Sequence, residues 1–334
     1  MTSLIGRREL LAAGLGLCTS LGAAAAFAQS TEVAPRQPGT DALGRRIGGA
    51  AGRGGGRGSQ MPRRKARTTK LFLTPPGWPN AIDIDHDEKR GFWVQEQRHD
   101  NKPEAAWLID WNGKLLKTVS TNSKNTSGAC FGDGYVWSGA NGVSEITHPT
   151  PPINGIFQTD MNGKEISHRQ IPFGPKDDGG ATHGMAWQAD VHKIWIDANR
   201  LEALIRIDPK TWEVDYMIPV THQPGVAERL HGITYDNGFI WQVTGHQKEG
   251  TNGYEGYMPG LVKYDIKAGR VVEIVDFEPG SCDMHDVCIY NGQLYGVDAG
   301  EHPGWSIDNP AYQHPGWPPL NSPSAGYVFK IDLI

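Results

Sequence analysis

Short runs that alternate apolar and polar residues, separated by turn residues, recur along most of the chain. One set comprises residues 230–235, 238–241, 261–265 and 269–272. A run of this kind predicts a β-strand, and four in succession predict one four-stranded antiparallel sheet. Patterns with a helical period are almost absent, so we expect an all-β protein.

The same set of four runs recurs at a spacing of about 50 residues. Asn80, Ser127, His183, His231 and His285 occupy equivalent positions at the start of the first runs. The last copy stops after its third run, and a run at residues 69–73 precedes the first copy. Donating this leading strand to the last blade would leave no open sheet edge. We therefore predict a β-propeller of about five four-stranded blades closed by an N-terminal strand, with six blades as the alternative because the spacing is uneven.

The first strand of each propeller blade lines the central channel. The five equivalent positions should therefore form a polar ring at one mouth of the channel, with His183, His231 and His285 on consecutive blades. The long connections at residues 141–154, 245–260 and 299–325 fall at the same mouth. The pattern predicts a walled pocket, which is where ligands bind.

Three imidazoles from separate strands are typical of a metal site that keeps one position open for water or substrate. We expect a divalent metal ion, with zinc, iron, copper and manganese all compatible. The alternative is that each of His183, His231 and His285 only caps a strand or satisfies a buried turn.

Charged residues follow the second strands at the same mouth. Glu96 and Asp298 each stand three residues after an aromatic residue of the strand, and Asp197 and Arg200 follow Trp195. A carboxylate here is expected to orient a ligand histidine or move a proton, and Arg200 to hold an anionic group. The alternative for each is an ordinary charge paired on the rim.

The first 28 residues predict an export signal, with paired Arg7 and Arg8 before an apolar run. The arginine pair is typical of the twin-arginine route, and an ordinary secretory signal is the alternative. Residues 29–66 are rich in Gly, Pro and Arg and predict a disordered linker, which leaves 67–334 as the propeller domain. We expect a periplasmic or secreted protein with no stable membrane insertion after the signal is removed.

Charge separates the two parts of the chain. Residues 1–67 carry 11 Lys and Arg against 3 Asp and Glu, whereas residues 68–334 carry 21 against 34. An acidic body excludes nucleic acid as the expected partner and leaves a small-molecule substrate, acted on by a monomer. Three cysteines follow the signal, Cys130, Cys282 and Cys288, so at most one disulfide is possible within a chain. Cys282 lies three residues before His285 and is a candidate fourth metal ligand, but a surface-loop cysteine is the preferred interpretation.

The runs at residues 231–234, 240–241, 262–265 and 269–272 resemble the repeat of virginiamycin B lyase and related propellers, a group that includes gluconolactonases and NHL-repeat proteins. Histidine ligands on separate blades also make the chain similar to the peptidylglycine amidating lyase, whose zinc ligands would match the three histidines. These resemblances imply metal-assisted chemistry on a small molecule. The carboxylate ligands of gluconolactonases have no evident counterpart here, and virginiamycin B lyases are not built around three histidines.

The sequence thus predicts an exported metal-dependent enzyme that opens an ester or lactone with metal-activated water. Elimination that cleaves a C–O or C–N bond is the second interpretation, and a non-enzymatic propeller that binds a ligand or partner is the third. Serine-hydrolase elbows, phosphate-binding loops, dinucleotide fingerprints and His-Glu-x-x-His are absent from the sequence.

Overall fold

The computed structural model describes residues 61–98, 103–140, 155–169, 182–198, 201–220, 223, 229–247, 257–278, 281, 284–298 and 326–334. All of them belong to one structural unit, Ser59–Ile334. These residues form β-strands β1 to β20 and, within the described ranges, no α-helix. The predicted export signal lies outside them.

The strands form five four-stranded blades, as predicted. Blade 1 contains β2 (Trp78–Ile84), β3 (Gly91–Gln97), β4 (Glu104–Asp110) and β5 (Leu115–Thr121). Blade 2 contains β6 (Thr126–Gly132), β7 (Tyr135–Ala140), β8 (Gly155–Asp160) and β9 (Glu165–Arg169). Blade 3 contains β10 (Thr182–Gln188), β11 (Lys193–Ala198), β12 (Ala203–Ile207) and β13 (Val214–Pro219). Blade 4 contains β14 (Arg229–Asp236), β15 (Phe239–Gln247), β16 (Tyr257–Asp265) and β17 (Arg270–Phe277).

Blade 5 joins both parts of the chain. It contains β18 (Asp286–Tyr290), β19 (Gln293–Val297), β20 (Tyr327–Leu333) and the N-terminal β1 (Arg63–Leu73). β1 pairs antiparallel with β20 and, through its first four residues, parallel with β17 of blade 4. The predicted closure by an N-terminal strand is confirmed, and the closing strand also ties the last two blades together.

The closing strand begins at Arg63, so residues 63–66 belong to the sheet and not to a linker that ends at residue 66. Ala66 is fully buried, and basic side chains on either side of it pair with carboxylates of blade 4. The pairs are Arg63 with Asp276, Arg64 with Glu273, and Arg67 with Glu278. Residues 63–66 therefore form a strand although their composition is typical of a solvated linker, because carboxylates at the neighbouring strand β17 pair with the basic side chains of β1.

The five inner strands β2, β6, β10, β14 and β18 contact one another in cyclic order around the channel. In every blade, the third residue after the ring position lies opposite the aromatic residue of the second strand. These pairs are Asp83 with Trp93, Cys130 with Trp137, Ala186 with Trp195, Thr234 with Trp241, and Cys288 with Tyr295. The shared register shows that the five first strands are structurally equivalent.

The hydrophobic core lies between blades. Cys130 and Trp137 of blade 2 pack in one buried cluster with Met185 and Trp187 of blade 3. The rings of Trp137 and Trp187 stack with centroids 6.4 Å apart and an interplanar angle of 11°. Because each blade buries its aromatic face against the next blade, the inner strands are held at fixed positions around the channel.

Two further sequence expectations bear on the described residues. Cys130 and Cys288 are free thiols and are buried, while Cys282 lies outside the described ranges. In the part of the chain that the structure describes, no helix is long and apolar enough to cross a membrane.

Candidate functional site at the channel mouth

A break in the hydrogen-bonded ladder recurs at the ring position. Between the first and second strands the register shifts across Asn80 in blade 1, Ser127 in blade 2 and His183 in blade 3. In blade 4 the shift spans His231 and the glycine after it, and in blade 5 His285 stands directly before β18. A β-bulge leaves a residue unpaired and re-aims its side chain. The register is thus broken at the ring position in blades 1 to 4, whereas in blade 5 the ring residue directly precedes the first strand.

In blades 2, 3 and 4 the residue after the ring position is a glycine, and the neighbouring inner strand leaves no room for a side chain there. A Cβ atom on Gly184 would lie 2.9 Å from the Cα of Gly232, and one on Gly232 would lie 1.6 Å from Oδ1 of Asp286. A Cβ on Gly128 would likewise lie 2.9 Å from the Cα of Gly184. Neighbouring inner strands of blades 2 to 5 are thus in close contact directly beside the ring positions.

The structure brings the three predicted histidines together. The ring centroids of His183 and His231 are 5.2 Å apart, and those of His231 and His285 are 4.9 Å apart. His285 is buried, whereas His183 and His231 are partly exposed. As the side chains stand, no group of three or more His, Cys, Asp or Glu in the described ranges has the arrangement of a metal site.

The orientation of His285 is set by a hydrogen-bond chain. Asn80 donates from Nδ2 to the backbone carbonyl of Thr126 at 3.1 Å, and its Oδ1 lies 2.7 Å from Nδ1 of His285. Because a carbonyl only accepts, the Asn80 amide must present its oxygen to the histidine. His285 is therefore protonated at Nδ1 when neutral, and Nε2 carries the lone pair.

A buried carboxylate that the sequence analysis did not single out contacts Thr126, the residue at the end of this series of hydrogen bonds. Glu104, at the start of β4, accepts hydrogen bonds from the backbone and hydroxyl of Thr126, from the Ser123 hydroxyl and from the backbone N–H of Arg98. Burial raises the pKa of Glu104 to about 7, with these hydrogen bonds opposing the rise. No repeat pattern marks a residue at the start of a third strand, so sequence spacing had no means to find it.

Glu96 occupies a buried, paired position at the same mouth. It lies opposite Pro79, the residue before Asn80, and accepts hydrogen bonds from Arg98 Nη1 at 2.9 Å and Ala105 N at 3.1 Å. These contacts stabilise an ionised carboxylate and hold it in one orientation.

Asp298 lies close to His285 along the backbone. The N–H of His285 donates to the carbonyl of Val297, the residue directly before Asp298, at 2.9 Å. The N–H of Asp298 donates to the carbonyl of Tyr327, and its side chain is buried. The backbone that carries this carboxylate is thus fixed beside the backbone of His285. Arg200 lies outside the described residues.

Asp197 stands beside the ring on blade 3, opposite Gly184. It is fully buried and accepts a hydrogen bond from Gln242 Nε2 at 2.9 Å, and Gln242 in turn accepts one from the Tyr264 hydroxyl at 2.9 Å. Burial raises the pKa of Asp197 to about 8. At neutral pH this carboxyl is predominantly protonated.

Below the ring, two aspartates connect the blades. Asp286 of blade 5 accepts the N–H of Ile82 in blade 1 at 2.9 Å, and Asp83 of blade 1 accepts the N–H of Phe131 in blade 2 at 3.1 Å. Burial raises the pKa of Asp286 well above its usual range. These side chains replace missing ladder bonds between inner strands, so their role here is structural.

Comparison with known proteins gives likeness of structure only. No protein-family model matches the sequence, and no curated protein matches it. Among solved structures, the Myxococcus xanthus glutaminyl cyclase has a TM-score of 0.50 and 10% identity over 82% of this chain and 100% of its own. Hydrazine synthase from Kuenenia stuttgartiensis has a TM-score of 0.41 and 13% identity over 73% of this chain and 60% of its own. A luciferin-regenerating enzyme has a TM-score of 0.40 and 15% identity, with coverage of 78% and 77%. At 10% identity the likeness to the Myxococcus structure shows the fold alone, in agreement with the five-bladed β-propeller described above.

Proposed function

We propose that this protein is a metal-dependent enzyme acting on a small molecule at the channel mouth, with His183, His231 and His285 as the metal ligands. The observation that carries the proposal is the meeting of three imidazoles from equivalent positions of consecutive blades, 5.2 and 4.9 Å apart between neighbouring centroids. Two imidazoles on one tetrahedral zinc ion, with Zn–N bonds of about 2 Å, have centroids about 5 Å apart. The spacing therefore suits a shared ion, and binding would require the side chains to rotate until their nitrogens converge.

The donor chemistry also suits a metal. Asn80 holds the Nδ1–H of His285, which directs the lone pair of Nε2 away from the amide. A ligand histidine commonly donates its other ring nitrogen to such a partner, which fixes its tautomer and orientation. A bound divalent ion would supply Lewis acidity and a water of lowered pKa.

We propose ester or lactone opening as the reaction. Asp298 is the favoured proton-transfer group because its backbone lies directly beside that of His285. Glu96 is fixed by Arg98 and Ala105 and is better suited to orienting a neighbouring group than to exchanging protons. Arg200 remains the proposed anion-binding residue.

The second candidate reaction is elimination across a C–O or C–N bond. The resemblance of the blade repeat to virginiamycin B lyases favours it, and the same metal ligands and Asp298 as base would serve it. A substrate panel separates the two reactions because hydrolysis incorporates a solvent oxygen, whereas elimination forms a double bond without it.

Metal content is the first test. The full chain is purified, its bound metals are measured, and the measurement is repeated with His231→Ala and with His192→Ala as a matched control on an exposed histidine. We expect about one ion per chain in the wild type and the control and a large loss in His231→Ala. A wild type without stoichiometric metal after zinc, iron, copper and manganese have each been offered, or a His231→Ala variant that retains it, contradicts the proposal.

Activity is the second test. A panel of lactones and esters is assayed with and without a chelator, and turnover should disappear with the chelator and return with the metal. Tight ligand binding without turnover would instead support a non-enzymatic binding propeller.

We further propose export to the periplasm or beyond, which cell fractionation tests by comparing the wild type with an Arg7→Lys, Arg8→Lys variant.

A further inference from the structure

We propose that Glu104 is a positioning residue for His285. By fixing Thr126, it orients the Asn80 amide and so holds the His285 ring in the Nδ1–H form. The inference deepens the proposed function, since His285 matters as a ligand there, but the tautomer itself is measurable without metal or substrate.

The first link is the hold of Glu104 on Thr126. One carboxylate oxygen accepts the Thr126 N–H at 3.3 Å, and the other accepts the Thr126 hydroxyl. Ser123 and the backbone of Arg98 supply two more donors, at 3.1 and 2.8 Å. Both oxygens are thus occupied by donors from three directions, which leaves the residue before the Ser127 bulge little freedom.

The second link runs from Thr126 to the ring. Its carbonyl accepts Asn80 Nδ2 at 3.1 Å, and the amide oxygen then faces His285 Nδ1 at 2.7 Å. Each group in this series of hydrogen bonds can act in only one way, because the Thr126 carbonyl must accept and the amide nitrogen of Asn80 must donate. Displacing Thr126 would remove the reason for the amide to point its oxygen at the histidine.

Burial keeps bulk water away from these hydrogen-bonded residues. Glu104 and Thr126 are 0% exposed, and Asn80 and His285 are 2% exposed. Bulk water is therefore a poor substitute for any lost partner, and hydrogen bonds in such surroundings reinforce one another. These hydrogen bonds also cross three blades: they run from β4 of blade 1 to β6 of blade 2, back to β2 of blade 1, and on to the residue before β18 of blade 5.

A purely structural role for Glu104 would affect stability but not the His285 tautomer. The discriminating measurement is long-range ¹H–¹⁵N NMR of histidine side chains in the metal-free full chain, with His285 assigned by its loss in His285→Gln. The variants are Glu104→Gln, which places an NH₂ group where donors converge, and Thr126→Val, which removes one hydroxyl at nearly constant volume. Thr126→Ser keeps both donors, and Ser138→Ala removes a buried hydroxyl that bonds Gln95 instead.

We expect His285 to be the Nδ1–H tautomer in the wild type, Thr126→Ser and Ser138→Ala, and to lose part of that population to Nε2–H in Glu104→Gln and Thr126→Val. Zinc alone, titrated into the same proteins, should bind about 10-fold more weakly to these two variants.

An unchanged tautomer in folded Glu104→Gln and Thr126→Val, or an equal change in Ser138→Ala, overturns the inference. If Glu104→Gln does not fold, Thr126→Val decides. If the wild type binds no metal but the His285 tautomer still differs between the wild type and the two variants, the metal proposal fails and the role of Glu104 stands.

Discussion

His285 and Asn80 meet at 2.7 Å across the seam where the last blade closes on the first. The two residues occupy the same repeat position, but they are 205 positions apart in the chain. Their hydrogen bond can form only when the ring is closed. The candidate site is therefore complete only in the closed ring.

Replacing Asn80 tests the value of this contact. In Asn80→Ala, both His285 Nδ1 and the Thr126 carbonyl lose a buried partner, so we expect a loss of about 1–3 kcal/mol in the free energy of unfolding. Zinc affinity should fall by about 10- to 100-fold because the ligand ring is no longer oriented. Denaturant unfolding and calorimetric titration measure the two effects. Asn122→Ala, which removes an exposed amide bonded to Glu165, should change neither; unaltered zinc affinity in Asn80→Ala would show that the amide does not orient a ligand.

The close approach of blades 4 and 5 gives a prediction about stability. A methyl group at Gly232 would overlap the carboxylate and the backbone of Asp286, whose Oδ1 lies 1.6 Å and Cα 2.4 Å from the Cβ position. We expect Gly232→Ala to destabilise the fold by at least about 1–3 kcal/mol, as overpacking does. Thermal unfolding should show a smaller effect for Gly260→Ala, where the nearest atom is 3.3 Å away. Equal midpoints for the two variants would mean that the inner strands can separate at little cost.

The sequence predicted the parts of the molecule that depend on repetition. Blade number, closing strand and the shared position of the three histidines all follow from apolar alternation and spacing, because equivalent positions on equivalent strands must meet at the axis. The bulges themselves were not predicted, since a register shift leaves no residue type of its own.

Residues outside the repeat were harder to predict. Glu104 gains its importance from Thr126 on the next blade, and nothing in its local sequence reports that contact. Arg63 and Arg64 were assigned to a linker because composition describes only the strand itself and not the acidic neighbour that neutralises it.

The closing strand gives a prediction about salt. Arg63, Arg64 and Arg67 are paired but substantially exposed, so each pair should contribute at most about 1 kcal/mol. Replacing all three by Ala should lower the midpoint of thermal unfolding modestly at low salt, and the difference from the wild type should narrow in about 1 M salt, where the Debye length is about 3 Å. Lys210→Ala, on an exposed turn of blade 3, is the control. A difference that persists at high salt would show that the arginines act through their packed stems instead of their charge.

Asp197 gives a prediction about pH. Its pKa is about 8 in the folded chain and near 3.8 when unfolded, so between about pH 4 and pH 8 the folded state retains a proton that the unfolded state has lost. The free energy of unfolding therefore decreases as pH rises through this window, by up to about 1.4 kcal/mol per pH unit from this group. Asp197→Asn imitates the protonated acid and can still accept from Gln242, so the variant should match the wild type near pH 4 and become progressively more stable than it toward pH 8.

Urea unfolding at each pH measures this difference. The control is a carboxylate whose pKa is shifted in the opposite direction. Lys193 holds the pKa of Asp208 at about 2, so the contribution of Asp208 is complete above pH 4 and is lost only as pH falls through that lower range. Asp208→Asn should therefore give a constant difference from the wild type between pH 4 and pH 8. A constant difference for Asp197→Asn as well would mean that Asp197 is ionised in the folded protein at neutral pH, and that the buried bridge to Gln242 and Tyr264 stabilises its charge.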